Sequence, residues 1–302
     1  MKKVIIALLL FAVFYSGLII YQQQMMRTSM SPIHLNFLAY VVASFILIVG
    51  LSLFHRKSLI QHSKKGMIWG MLTGLSASII GDISAMAGLR FSSSINWSLI
   101  SRLSLPTTFL LVALFLHEKI TKEKLLALTA ALIGVVMVVY KWGATVTFNK
   151  GDVFFILAMV GMSVGNILSK KAMEYVSSIQ LSLYRIVSAA ILLSMYVLFF
   201  FPIPGAIDWI PPIIMGSCFV FGIVLVNYVI QHAGVSFFTI GATLVPVFVM
   251  LFSIVFLQER PMFTQLLGGV FIISSIFIFE HKSIRKHVKG AIHGTTKVQT
   301  IS

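Results

Sequence analysis

Acidic residues are scarce in this chain. Of 302 residues only 8 are Asp or Glu, against 23 Lys and Arg, and charged residues of both signs make up 10%. A soluble domain carries about 25% charged residues, so a soluble fold is excluded. Cysteine is nearly absent as well. The single Cys218 lies inside an apolar run, which rules out an intramolecular disulfide and a thiolate metal cluster. The 8 histidines fall mainly in loops and the tail without metal-ligand spacing, and no metal or other cofactor is expected. A P-loop, a Gly-x-Ser-x-Gly elbow and paired intramembrane carboxylates are missing too. Their lack argues against an ATP-driven pump and against a membrane hydrolase. Met1–Tyr21 has the basic start and apolar stretch of a signal peptide, but no small-x-small cleavage site follows it. It reads as a retained first span.

What is there is apolar. Hydrophobic residues make up 58% of the chain, gathered into ten runs near the length needed to cross a hydrocarbon core. They fall at 4–21, 34–54, 66–89, 95–116, 125–140, 153–168, 179–201, 210–229, 237–257 and 263–279. Lipid leaves no partner for open backbone, so the runs are expected to be helices. Strand alternation is absent, which disfavours a barrel. With the N-terminus in the cytoplasm, the segments on that side hold 16 Lys and Arg. The opposite side holds 5, namely Arg27, Arg90, Lys141, Lys150 and Arg260. Basic residues collect in cytoplasmic loops, so both termini are expected there, in a multi-pass protein of the plasma membrane. This asymmetry accounts for the net charge of +15 without nucleic acid. The basic segment 281–302 reads as a disordered cytoplasmic tail touching at most anionic lipid.

The chain repeats itself. Displaced by 146 residues, Ser31–Ser44 falls on Ser177–Ala190, and Gly17–Met30 lies over Ser163–Val176. Further on the displacement is about 140. Leu105–Lys119, "LPTTFLLVALFLHEK", then pairs with Val245–Arg260, "VPVFVMLFSIVFLQER", so that Pro106 meets Pro246 and Glu118 meets Glu259. Two five-helix units follow, at 1–148 and 149–280. Five is odd, so the second unit enters the membrane from the opposite side. Inverted repeats of this kind are shared by many secondary transporters, with the substrate site where the halves meet.

The matched residues have physical roles. A proline within a helix frees the carbonyl four residues earlier, here Arg102 for Pro106 and Ala242 for Pro246, so the fourth and ninth spans are expected to kink at one depth. Glu118 and Glu259 sit at the water boundary as structural corners, next to Lys119 and Arg260. Ala127, Gly134, Gly268 and Ser275 recur at seven-residue spacing, one helix face suited to close packing within the bundle or in a homodimer.

The paired five-helix units, the proline-centred fourth and ninth helices and the "HEK" and "QER" endings resemble the EamA-type transporters of the drug/metabolite transporter superfamily. The resemblance covers about residues 4–280. It implies a ten-helix bundle whose central cavity is lined by the first to fourth and sixth to ninth helices, with helices five and ten at the periphery. It implies export of small metabolites, amino acids or drugs, commonly coupled to protons. The family often carries an arginine early in the second and seventh helices. Arg185 matches the latter, while Ala39 stands at the former.

Charges inside spans are expensive and mark function by default. Asp82 and Arg102 fall at similar depths in the third and fourth spans, and a salt bridge between them is expected, either structural or opening as Asp82 binds and releases a proton. Arg185 lies about two turns into the seventh span, with the options of snorkelling or of holding an anionic substrate group. Asn36, Trp97, Asn166, Tyr184, Asn227 and Tyr228 are the polar and aromatic candidates to line a cavity. The reading is a secondary transporter, an exporter working by alternating access in the lipid bilayer, proton-linked or facilitative. A flippase for lipid-linked carriers is the first alternative. A non-transporting membrane enzyme or sensor is the second, and the catalytic constellation it needs is missing.

Overall fold

The computed structural model describes residues 2–25, 31–54, 63–92, 97, 100–117, 120–139, 149–201, 208–257 and 263–296. All regular structure among them is helical. The first half contains α1 (Lys2–Met25), α2 (Pro32–Phe54) and a third span built of three pieces. These are α3 (Lys64–Thr73), a π-helical segment (Gly74–Ile83) and α4 (Ser84–Phe91). A 3-10 turn (Ser101–Leu103) leads into α5 (Ser104–Phe115), and α6 (Lys122–Val139) closes the half. The second half follows the same order with α7 (Lys150–Ala172), α8 (Ser178–Phe200), α9 (Ile210–Ala233), the broken pair α10 (Val235–Gly241) and α11 (Leu244–Leu257), and α12 (Phe263–Thr296).

Among the described residues seven helices are long and apolar enough to cross a membrane, and Ser101–Phe115 and Phe263–Phe279 are shorter apolar helices. The run expected at 125–140 lies in α6. The last helix departs from expectation, since it continues to Thr296 where a disordered tail was expected from residue 281. That stretch contains no proline, so no residue in it lacks the N–H that a helix interior needs.

Helix starts carry local signals. Ser177 accepts from the Gln180 N–H while the Gln180 side chain accepts from the Ser177 N–H at 3.1 Å, a capping box. At the start of α7 the Asn149 N–H donates to Asp152 at 2.7 Å, and Ser92 at the end of α4 donates to the other Asp152 oxygen at 2.5 Å. That carboxylate, almost fully buried, ties the third span of the first half to the first helix of the second. Gly234, at φ 86°, makes the turn from α9 into α10, a left-handed backbone that favours glycine.

The prolines break their helices at one place. Pro106 is the third residue of α5, directly after the 3-10 turn, and Pro246 is the third residue of α11, directly after the turn that ends α10. The expected free carbonyl at Ala242 is not free. It accepts the Val245 N–H at 3.1 Å, because the broken backbone tightens into a turn rather than bending as one helix.

The halves exchange helices reciprocally. α1 packs on α9 and α11 of the second half, while α7 packs on the third span and α5 of the first. α2 and α8 pack on one another and each on the opposite third helix. The two main hydrophobic clusters accordingly draw from both halves. α6 and α12 form a pair of their own. Ala127, Gly134, Gly268 and Ser275 are all buried, and a Cβ on Gly134 would stand 2.6 Å from the Gly268 carbonyl oxygen. The small face therefore joins the last helices of the two repeats.

Candidate functional site

The exchange of helices brings polar side chains from both halves to one place. Tyr40 of α2 donates its hydroxyl to Asp82 Oδ2 at 2.5 Å. Asp82 belongs to the π-helical segment, and Ser78 of the same segment accepts from Arg185 Nε of α8 at 3.3 Å. Arg102 stands in the 3-10 turn before α5. Tyr15 of α1 lies within electrostatic range of Asp82, Arg102 and Arg185 together. Tyr40 is fully buried. Tyr15, Asp82, Arg102 and Arg185 are each partly buried.

The expected salt bridge between Asp82 and Arg102 does not form; the Asp82 carboxylate takes the Tyr40 hydroxyl and feels the charge of Arg185. The physical reason is helical geometry. Equal depth along two regular α-helices would bring residues 82 and 102 together, but Asp82 lies in a π-helical stretch and Arg102 in a 3-10 turn. Each change of winding rotates the side chains away from the 3.6-residue register. Arg102 Nε is left buried without a hydrogen-bond partner.

The π-helical segment is held from two sides at close range. A Cβ on Gly74 would meet the Arg185 carbonyl at 2.8 Å, and one on Gly161 of α7 would meet the Ser76 carbonyl at 2.8 Å. Ser76 in turn donates to the Gly161 carbonyl at 2.8 Å. With no side chains between them the backbones approach closely, and the segment that carries Ser78 and Asp82 is clamped against α7 and α8.

The other sequence candidates scatter around this cluster. Asn36, buried on α2, donates to the Met86 sulfur of α4, and its own oxygen is unpartnered. Asn227, fully buried on α9, donates to Ser182 of α8 at 2.9 Å. Each half thus links a hydroxyl of its second helix to its third by a side-chain hydrogen bond, Tyr40–Asp82 in the first and Ser182–Asn227 in the second. Tyr184, beside Arg185 in sequence, faces another way and packs on Gly70 and the cluster containing Trp69. Trp97 packs on Phe155 with ring centroids 5.1 Å apart, and Tyr228 on His232 at 4.2 Å. Asn166 is half-buried on α7. Glu118 and Glu259 lie outside the described residues. Tyr15, Tyr40 and Ser78 were not among the sequence candidates. The available signal was a tyrosine hydroxyl in a span with little other polarity. Tyr40 also sits next to Ala39, the position that answers to Arg185 in the other repeat.

Comparison with known proteins bears on the fold and the family. No curated protein sequence matches the chain. Among solved structures, one described only as "Crystal structure of protein" aligns with a TM-score of 0.77 over 94% of this chain and 98% of its own, at 15% identity; at that identity the likeness concerns the fold alone. The profile of the EamA-like transporter family matches twice, at residues 2–140 and 149–280, one match for each half described above. The chain is a multi-pass membrane protein of two repeats that belongs to the EamA-like transporter family.

Proposed function

We propose that the chain is a ten-helix secondary transporter of the plasma membrane with both termini in the cytoplasm. It exports small metabolites by alternating access between two inverted halves. The observation that carries the reading is the polar cluster, to which the first half contributes Tyr40, Asp82 and Arg102 and the second half Arg185. Charged side chains are costly at membrane depth, and here they gather where the halves interleave, the place where inverted-repeat transporters bind substrate. The two helix breaks at Pro106 and Pro246 supply matched points of bending.

The test is metabolite profiling of medium and cytoplasm from cells expressing wild type or Arg185→Ala at equal membrane levels, against cells without the protein. The reading expects a small set of metabolites enriched in the medium with wild type and reduced with Arg185→Ala. Wild-type profiles equal to those of empty cells would overturn export and turn attention to transbilayer movement of lipid.

A further inference from the structure

We infer that the polar cluster binds a small organic oxyanion, a carboxylate or a phosphate, together with a proton on Asp82, so that anion and proton cross the membrane in the same direction. This rests on the transporter reading above and adds the charge class of the substrate and the sign of its coupling.

The charges decide the class. Arg102 and Arg185 remain cationic at any physiological pH. Asp82 is the one carboxylate acting on Tyr15 in this cluster. Neither arginine makes an ion pair among the described residues, although a carboxylate lies in the same cluster. Arg185 Nε is bonded to a neutral hydroxyl, Ser78, and Arg102 Nε has no acceptor. A buried charged donor without an acceptor is costly, and guanidinium matches carboxylate and phosphate oxygens in geometry. An oxyanion supplies the missing acceptors. A cationic guest would find one carboxylate, already engaged by Tyr40, and two guanidinium groups repelling it.

The same charges fix the coupling. A bound anion and an ionised Asp82 repel each other in a space of low dielectric. Protonation of Asp82 removes that repulsion and leaves both arginines in place. Linkage is reciprocal, so the anion favours the proton as the proton favours the anion. Among the described residues the titratable groups that act on Asp82 are Tyr40 from α2, which bonds it, and Tyr15 from α1 and Arg185 from α8 at longer range. α7, packed along the same segment, presents Gly161, Met162 and Gly165, none of which titrates. Asp82 is therefore the group that takes up the proton.

The experiment uses the full chain in phosphatidylcholine–phosphatidylglycerol vesicles with a pH dye in the lumen and four probes: 2-oxoglutarate, inorganic phosphate, alanine and choline. The expected result is entry of 2-oxoglutarate or phosphate with acidification of the lumen, beyond that in protein-free vesicles. Which of the two enters distinguishes carboxylate from phosphate. Wild-type anion affinity should weaken as pH rises, by up to about tenfold per unit for one linked proton. In Asp82→Asn, which keeps an acceptor for Tyr40, the affinity should be flat with pH and tighter than wild type at pH 8, and entry should no longer acidify the lumen. Arg102→Gln and Arg185→Gln should each weaken the anion about tenfold or more. Alkalinisation of the lumen, pH-independent wild-type affinity, or preferential entry of choline or alanine would overturn the inference and leave the transporter reading standing. Entry of none of the probes would overturn the inference too; if export is also missing from the metabolite profiles, both fall.

Discussion

One methyl group tests the seam between the two repeats. In Gly134→Ala the new Cβ would stand 2.6 Å from the Gly268 carbonyl oxygen and 2.9 Å from the Ile272 backbone nitrogen. Both obstacles are helix backbone, so no rotamer change relieves them. An ordinary contact begins near 3.4 Å, so α6 and α12 must part locally by about 0.8 Å. A gap of that size costs neighbouring atoms a quarter to a half of their dispersion energy. Here those atoms belong to Ala127, Ala131, Ile272 and Ser275, all buried. Overpacking of this kind costs about 1–3 kcal/mol, offset in part by alanine's better helix propensity, up to about 1 kcal/mol. The control is the same change at Gly50 of α2, where a Cβ meets no atom within 4 Å and only the propensity acts. Thermal unfolding of the purified protein in detergent should show Gly134→Ala lowering Tm by roughly 2–6 °C, with Gly50→Ala unchanged or raised. A Gly134→Ala protein as stable as wild type would refute the close approach of α6 and α12.

Other substitutions address the cluster and the helix breaks. Tyr40→Phe removes a hydrogen bond to a carboxylate and should lower stability by about 1.5–3 kcal/mol, while Tyr15→Phe, whose contact with the charges is at longer range, should cost less; comparing the two unfolding curves checks the assignment. Ser16→Ala removes a buried hydroxyl that bonds the Ala12 carbonyl at 2.5 Å and the Val245 carbonyl beside Pro246 at 3.0 Å; a loss of about 1 kcal/mol is expected, with no change in substrate affinity in binding assays. Pro246→Ala should restore helical continuity between α10 and α11. Its expected signature is equal or higher Tm with a several-fold slower transport rate, and an unchanged rate would show that the break has no part in the motion.

The fold was largely legible because lipid makes its demands locally. Each apolar run had to become a helix, and the chain offered no other way to satisfy its backbone. Pro106 and Pro246 announced their breaks through a steric rule that acts within four residues. The face of Ala127, Gly134, Gly268 and Ser275 was readable from spacing, although spacing alone did not reveal that the partner was the other repeat. The site was less legible. Asp82, Arg102 and Arg185 stood out because charge is rare in spans, yet the pairing of Asp82 with Arg102 assumed regular α-helices on both sides. The π-helical winding of Gly74–Ile83 has no simple signature in composition. It depends on clamping against Gly161 and the backbone near Arg185, contacts made far away in sequence. Tyr40 was passed over for a similar reason: a tyrosine in a span is ambiguous until its hydroxyl has a partner.

The two halves agree in scaffold and differ in charge, and that difference bears on how they work. Both break their fourth helix before the third residue of the following segment, and both join a hydroxyl of the second helix to the third helix by a side-chain hydrogen bond. In the first half that bond ends on a carboxylate, Asp82; in the second it joins two neutral groups, Ser182 and Asn227. Arg185 of the second half has Ala39 as its counterpart in the first. If the halves exchange shapes during transport, the matched scaffold makes the exchange nearly neutral in packing, since each half takes a form the other already holds. The charges cannot exchange in that way. They stay on their own helices, and their unmatched interactions change between the two forms. A ligand shifts a conformational equilibrium only by its differential affinity for the two states. The unmatched residues Asp82, Arg102 and Arg185 are where such a difference can arise, so a proton or an anion bound among them can bias the exchange while the repeated framework carries it out.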